Sequence, residues 1–110
     1  MKVKPYEKMN EYLDFYEQLL TTKQQEVMDM YFREDYSLSE IAENMKITRS
    51  AVQDSIKRTT QILENYEAKL KLVFKYHKRL TYYKQYASSS DEKIKKIGEE
   101  LIEREMENYE

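Results

Sequence analysis

The sequence predicts an all-α protein, and three features of its composition and pattern support that prediction. The 110 residues include one glycine and one proline, so residues that interrupt helices are rare. Apolar side chains recur at steps of three and four residues, which is the spacing of one helix face. Hydroxyl residues stand where such patterns begin, as helix caps do. We expect a helix-turn-helix domain with an extended fourth helix over residues 1–87, then a linker and an acidic C-terminal helix over 88–110.

The first two predicted helices precede the most informative part of the chain. Apolar residues at helical spacing predict a first helix from about Tyr6 to Leu20. Threonines at positions 21 and 22 interrupt this pattern. Gln24 or Gln25 follows one of them at the spacing of a capping box, in which a hydroxyl and a side chain three residues later satisfy each other's backbone amides. The second helix is predicted to run to about Glu34.

The segment from residue 37 to residue 56 predicts two short amphipathic helices joined by a tight turn. Ser37 and Glu40 form a capping box for a third helix over residues 38–45. Lys46 lies in the turn, where many helix-turn-helix proteins have glycine; a positive φ at lysine costs about 1 kcal/mol or more, so the turn is expected to take another shape. Thr48 caps the next helix, whose apolar stripe is predicted to contain Ala51, Val52 and Ile56.

The fourth helix is predicted to begin at Arg49 and to continue to Ala87, with a bend near Asn65 left open. Apolar residues alternate steps of four and three along it for about four heptads, which is the pattern of a helix that packs against a second helix. A stripe of this length predicts a homodimer, because the short N-terminal helices cannot cover it. The predicted dimer interface consists of Leu63, Tyr66, Leu70, Val73, His77 and Leu80.

The C-terminal region is predicted to be a separate helix. Serines at positions 88–90 and Asp91 make a polar linker and a cap for a helix from Glu92 to about Asn108. Gly98 lies in its middle and is expected to weaken it by about 1 kcal/mol relative to alanine.

Composition excludes several classes of function. The chain has no cysteine, which favours a reducing cytoplasmic location and removes thiolate metal sites. No segment has the apolar length of a membrane span. No glycine-rich phosphate loop, metal-ligand spacing or catalytic constellation is present, so we expect a protein that is not an enzyme and has no cofactor and no metal site. The net charge of −2 argues against indiscriminate coating of nucleic acid.

The central motifs resemble known bacterial proteins. Residues 20–25 (LTTKQQ), 36–42 (YSLSEIA) and 49–52 (RSAV) resemble the fourth region of bacterial sigma factors. Residues 56–59 (IKRT) and 62–67 (ILENYE), with Lys69 and Leu70, resemble a narrower family, YlxM, of small helix-turn-helix proteins linked to the signal recognition particle. The resemblance implies an all-α, sigma region 4-like fold, often dimeric, and a regulatory or accessory role near the particle's GTPase.

A helix-turn-helix places its second helix in the major groove of DNA, so the start of the fourth helix is the first candidate site. Arg49 suits guanine, Gln53 suits adenine, and the cap of the helix suits a phosphate. Asp54 lies on or near the same face and would repel phosphate unless it pairs with a cation one turn away. The predicted nucleic-acid-binding residues are Thr48, Arg49, Ser50, Gln53, Lys57 and Arg58.

A second candidate surface follows the motif. Residues 69–90 contain six basic side chains and no acidic one, interleaved with aromatic rings, a combination that suits RNA or single strands. An exposed helix also needs lysines to remain soluble, and this explanation of the basic residues is favoured over RNA binding. The alternative to DNA binding, which the family resemblance implies, is a module that binds the particle's GTPase or RNA. The secondary basic patch consists of Lys69, Lys71, Lys75, Lys78, Arg79 and Lys84.

Overall fold

Six α-helices account for most of residues 5–107, which are the residues that the computed structural model describes. A 3-10 turn, Glu17–Leu19, follows the first helix, and a π-helical segment, Asp29–Arg33, extends the second. The predicted all-α fold is confirmed. The helices are α1 (Pro5–Tyr16), α2 (Thr22–Met28), α3 (Leu38–Met45), α4 (Arg49–Leu70), α5 (Leu72–Ala87) and α6 (Glu92–Glu107).

The predicted helix starts are confirmed by the caps that form there. Thr21, rather than its neighbour, makes the capping box of α2: its hydroxyl accepts from the amide of Gln24, whose side chain accepts from the amide of Thr21. Asp91 caps α6 by accepting from the amides of Lys93 and Ile94, 2.9 and 3.3 Å away. Each cap satisfies amides that helix geometry leaves without an intrahelical acceptor.

The extended fourth helix is the prediction that the structure overturns. The helix ends at Leu70, and Lys71 has φ 55° and ψ 32°, the left-handed conformation, before α5 begins. Asn65 does not interrupt α4, which is helical on both sides of it. The chain forms two compact units, one up to Leu70 and one from Lys71 on, so the structural boundary lies seventeen residues before the predicted boundary at residue 88.

The first unit packs α1, α2, α3 and α4 around a shared core. Leu13 and Tyr16 of α1 are fully buried, and the Tyr16 hydroxyl donates to Glu67 of α4 at 2.6 Å. Arg33 ties the end of the π-helical segment to the earlier helices through contacts of 2.6 to 2.7 Å. The three carboxylates that it contacts belong to Asp14, Glu17 and Asp29. Burial alone would lower the pKa of Arg33, but these hydrogen bonds outweigh it and raise that pKa.

The second unit is an antiparallel hairpin of α5 and α6 in which the backbones come into close contact at Gly98. A Cβ atom there would lie 2.4 Å from the amide nitrogen of Ala87 and 2.8 Å from the carbonyl oxygen of Tyr83. Gly98 therefore allows the two helices to approach closely, a packing role that is separate from the helix weakening expected from the sequence. Arg79 and Glu105 fix the register through Nε–Oε1 and Nη2–Oε2 contacts of 2.6 and 3.4 Å.

The predicted apolar stripe is used twice within one chain. Leu63 is fully buried in the first unit, whereas Val73 and Leu80 are buried in the hairpin. These three residues are covered by the chain itself, which leaves little of their surface for the predicted contact with a second copy. The physical reason is the break at Lys71, since a heptad seam requires one uninterrupted helix.

Candidate nucleic-acid interface

The helix-turn-helix is held by a core that joins three elements of the first unit. Val27 of α2, Ile41 of α3 and Val52 of α4 are buried together, each 2% exposed or less. Side chains from the same helices and their connections surround this group and are partly buried. They are Met30, Tyr31, Tyr36, Leu38, Ala42, Met45 and Ile56. The core packs one side of the start of α4 against α2 and α3, and the other residues of its first turns stay exposed.

The start of α3 is the first of two capped helix starts in the motif. Ser37 Oγ accepts from the amide of Glu40 at 3.1 Å, and the Glu40 carboxylate accepts from the amide of Ser37 at 3.0 Å, which confirms the predicted capping box. The hydrogen bond from the Ser37 amide lowers the pKa of the Glu40 carboxyl. The charged form of the Glu40 carboxylate therefore stabilises the capped start of α3.

The turn has the shape that usually requires glycine, although Lys46 occupies it. Lys46 has φ 57° and ψ 43°. The amide of Ile47 donates to the carbonyl of Ala42 at 3.1 Å, and the amide of Lys46 donates to the carbonyl of Glu43 at 3.4 Å. These are the two hydrogen bonds of a Schellman motif. The expectation that lysine would change the shape of the turn is wrong, because these bonds and the packed core hold the left-handed conformation.

The second capped start places the beginning of α4. The Thr48 hydroxyl accepts from the amide of Ala51 at 3.0 Å, and the Thr48 carbonyl accepts from the amide of Val52 at 3.1 Å. The first turn of α4 contains no acidic residue. This helix end therefore combines partial positive charge with the cation of Arg49, which suits an anion such as a phosphate.

The six predicted contact residues are exposed, and three of them share one stripe. Arg49, Gln53 and Lys57 are spaced by four residues, so they follow each other along one side of α4. Val52 on another side is fully buried in the core. The structure thus presents a guanidinium, an amide and an ammonium group in a row, which are donors suited to base edges and phosphates.

Asp54 is paired with Arg58, one helical turn away, which is the pairing that would prevent its charge from repelling a phosphate. Its carboxylate contacts Nε of Arg58 at 3.0 Å, and both side chains are largely exposed. The pair neutralises the carboxylate beside the stripe, but it also occupies the Arg58 guanidinium. An exposed pair of this kind contributes little to stability, so Arg58 can exchange this partner for a phosphate at small cost.

Ala51 is the residue of this surface that the sequence prediction misplaced. The sequence places it in the apolar stripe with Val52 and Ile56, yet its side chain is exposed whereas Val52 is buried. The signal was available: Val52, Thr59 and Leu63 are the buried set of α4, and Ala51 lies about 100° away from Val52. A small methyl group among polar side chains suits the methyl group of thymine.

The secondary basic patch is divided between the two units. Lys69 belongs to the last turn of α4, Lys71 is the left-handed residue, and the other members lie on α5. The Lys78 ammonium lies 5.0 Å from the centre of the Phe74 ring, a cation–π distance. Arg79 is only half exposed and binds Glu105, so its charge is largely used inside the hairpin. The exposed members are Lys69, Lys71, Lys75, Lys78 and Lys84.

The other members of the predicted dimer interface have different environments. Tyr66 is half-buried, with its ring centroid 5.9 Å from that of Tyr16. Leu70 and His77 are exposed, and the His77 ring lies 5.3 Å from the Tyr76 ring. None of the helices described within residues 5–107 has the length and apolar character needed to cross a membrane.

Comparison with known proteins agrees with this geometry. A family model described as UPF0122, "Putative helix-turn-helix protein, YlxM / p13 like", matches residues 3–104. The chain is similar to UPF0122 protein BH2485 of Halalkalibacterium halodurans, with 45% identity over 86% of this chain and 85% of that protein. It is 42% identical to UPF0122 protein Lm4b_01818 of Listeria monocytogenes, over 86% and 91% of the two chains. UPF0122 protein OB1530 of Oceanobacillus iheyensis is 51% identical over 66% and 70%.

Proposed function

The chain belongs to the UPF0122 family of YlxM/p13-like helix-turn-helix proteins, and we propose that it binds duplex DNA through the start of α4. The observation that carries this proposal is the exposed stripe of Arg49, Gln53 and Lys57 on a helix whose adjoining side, at Val52, is fully buried in the core. Caps at Ser37 and Thr48 set where α3 and α4 begin, and the shared core packs α4 against α3, so the side chains of the stripe have a defined position, as base reading requires.

In this proposal each contact has a separate role. Arg49 and Gln53 donate to base edges in the major groove, while Thr48, Lys57 and Arg58 bind phosphates. Ser50 and Ala51 fill the space between them. The phosphate contacts make affinity fall with salt, and the base contacts make it depend on sequence.

Selection from a random duplex pool, followed by titration at several salt concentrations, tests the proposal. Replacing Arg49 and Lys57 with alanine removes two positive charges from the stripe and should weaken binding by about 100-fold or more, since each such contact contributes about 1–3 kcal/mol. Alanine at Lys75 and Lys84 removes the same charge from α5 and should leave affinity for duplex DNA nearly unchanged. No enriched sequence, or equal losses in both variants, would contradict the proposal.

The second candidate is an RNA- or protein-binding module, and the exposed lysines of α5 favour it. Lys75, Lys78 and Lys84 lie on a helix that carries no acidic residue. On this account the cytoplasmic partner belongs to the signal recognition particle, its GTPase or its RNA, and the support is the family resemblance. The same two double variants separate the candidates, because here the α5 variant loses binding to the particle and the stripe variant retains it. Recovery of particle components that survives nuclease treatment points to the GTPase, and loss of recovery points to RNA.

A further inference from the structure

Asp54 lies on the side of α4 that faces away from the core. At about 100° per residue, Asp54 and Ser50 each lie about 160° around the helix from Val52, which is fully buried. In the same count Arg49 lies about 60° and Gln53 about 100° from Val52, so these two flank the packed side. A helix that enters a groove with its exposed side first therefore brings the Asp54 carboxylate to the base edges near the centre of the contact.

The Asp54 carboxylate has an exposed partner that DNA would take away. Its Oδ2 atom lies 3.0 Å from Nε of Arg58, and the two side chains are 57% and 77% exposed. An exposed pair of this kind is weak, so Arg58 exchanges it for a phosphate at small cost. Asp54 is then left without its partner at a surface from which water is being removed, and it needs a new hydrogen-bond donor.

The chemistry of the major groove limits which base supplies that donor. Asp54 is the one acidic residue among residues 49–58, and an ionised carboxylate only accepts hydrogen bonds. Guanine and thymine present acceptors in the major groove, so they repel a carboxylate. Adenine has an amino group at N6, but the N7 acceptor lies beside it. The amino group at N4 of cytosine is the donor without an acceptor on the same base edge, so cytosine suits Asp54 best.

We propose that Asp54 is a specificity-determining residue that accepts a hydrogen bond from N4 of a cytosine, an inference that rests on the proposed DNA binding by α4. At a cytosine, Arg58 contacts a phosphate and Asp54 contacts the amino group, so both charges keep a partner. At another base the desolvated carboxylate faces an acceptor or loses its partner. Asp54 thus selects mainly by its penalty against the other bases, which gives an acidic residue a purpose on a surface that binds an anion.

Selection from a random duplex pool by the unaltered protein and by Asp54→Asn tests this role. The unaltered protein should require cytosine at one position and discriminate against other bases there about tenfold or more. Asp54→Asn keeps the shape and removes the charge, so it should lose that preference and keep the preferences at the other positions. Glu99→Gln makes the same change of charge at an exposed position of α6 and should alter no preference. Circular dichroism verifies that both variants are folded.

A duplex with an altered base tests the contact itself. Replacing the selected cytosine with its pyrimidinone analogue removes only the amino group at N4. The unaltered protein should bind this duplex about tenfold or more weakly, because the carboxylate loses its donor. Asp54→Ala has no carboxylate at this position, so it should bind the two duplexes equally.

The outcomes separate a failure of this inference from a failure of the proposed function. If the unaltered protein enriches no sequence, DNA binding by α4 is wrong and the role of Asp54 is wrong with it. If Asp54→Asn keeps every base preference and binds all duplexes more tightly, Asp54 only repels phosphates, and its reading role is overturned while DNA binding stands. Equal losses on the pyrimidinone duplex for the unaltered protein and Asp54→Ala would also overturn that role, since another residue would then contact the amino group.

Discussion

Replacing Gly98 with alanine distinguishes packing from helix propensity, because the two predict changes of opposite sign. Propensity alone would stabilise α6 by about 1 kcal/mol. In the structure the added Cβ lies 2.4 Å from the Ala87 nitrogen, and an ordinary contact needs 3.4 Å or more. The helices must therefore separate by about 1 Å, since the obstructing atoms are backbone atoms that cannot rotate away. Overpacking of this kind costs up to about 3 kcal/mol, which leaves a net loss of about 2 kcal/mol.

Native-state hydrogen exchange measures this change for each helix. A loss of about 2 kcal/mol should accelerate exchange of the protected amides of α5 and α6 by about thirtyfold, while the first unit keeps its rates. Glu99→Ala, at an exposed neighbouring position of α6, is the control and should change little. Slower exchange in the Gly98→Ala hairpin would show that propensity prevails and that the close approach at Gly98 is wrong.

Three further predictions concern the first unit. Lys46→Gly should raise the free energy of unfolding by about 1 kcal/mol in urea titrations, because glycine adopts the left-handed turn without strain; a loss would contradict the conformation of the turn. Arg33→Ala should lower the free energy of unfolding by about 1–3 kcal/mol, since three carboxylates lose their shared partner, and an unchanged value would refute that role. The native pKa of Glu40 lies below its unfolded value, so the stability that this carboxylate contributes is full above the unfolded pKa and is lost as the pH falls through the native pKa. Glu40→Gln keeps a capping side chain but cannot titrate, so its melting temperature should fall less over that acidic window. An identical pH profile of the two proteins would contradict this.

The sequence predicted those features that depend on local chemistry. A hydroxyl residue three positions before a glutamate or glutamine is the capping-box spacing, which marks a helix start. The spacing at Thr21 and Ser37 therefore predicts where α2 and α3 begin. The exposure of Arg49 and Gln53 followed from the same helical period that buries Val52. The polar face of an amphipathic helix is set by its apolar face, and both are visible in the sequence.

The features that the sequence did not reveal depend on contacts distant in the chain. Lys71 ends α4, although lysine is a good helix former, and its neighbours give no signal of a left-handed residue. Gly98 has a low helix propensity, and in the structure it is also the point where α6 comes closest to α5. The sequence shows the first property but not the second, because the second depends on where α5 lies. The heptad spacing places Leu63 and Leu80 on one apolar stripe, but the spacing does not show which helix packs against each residue.

Backbone amide shifts in an NMR titration with a selected duplex test the DNA-binding surface most directly. We expect the largest changes in a continuous segment from Thr48 to Arg58, with smaller changes in the turn at Lys46, because these residues form the exposed start of α4. Changes confined to α5, between Leu72 and Ala87, would contradict the account and would assign nucleic-acid binding to the basic helix instead.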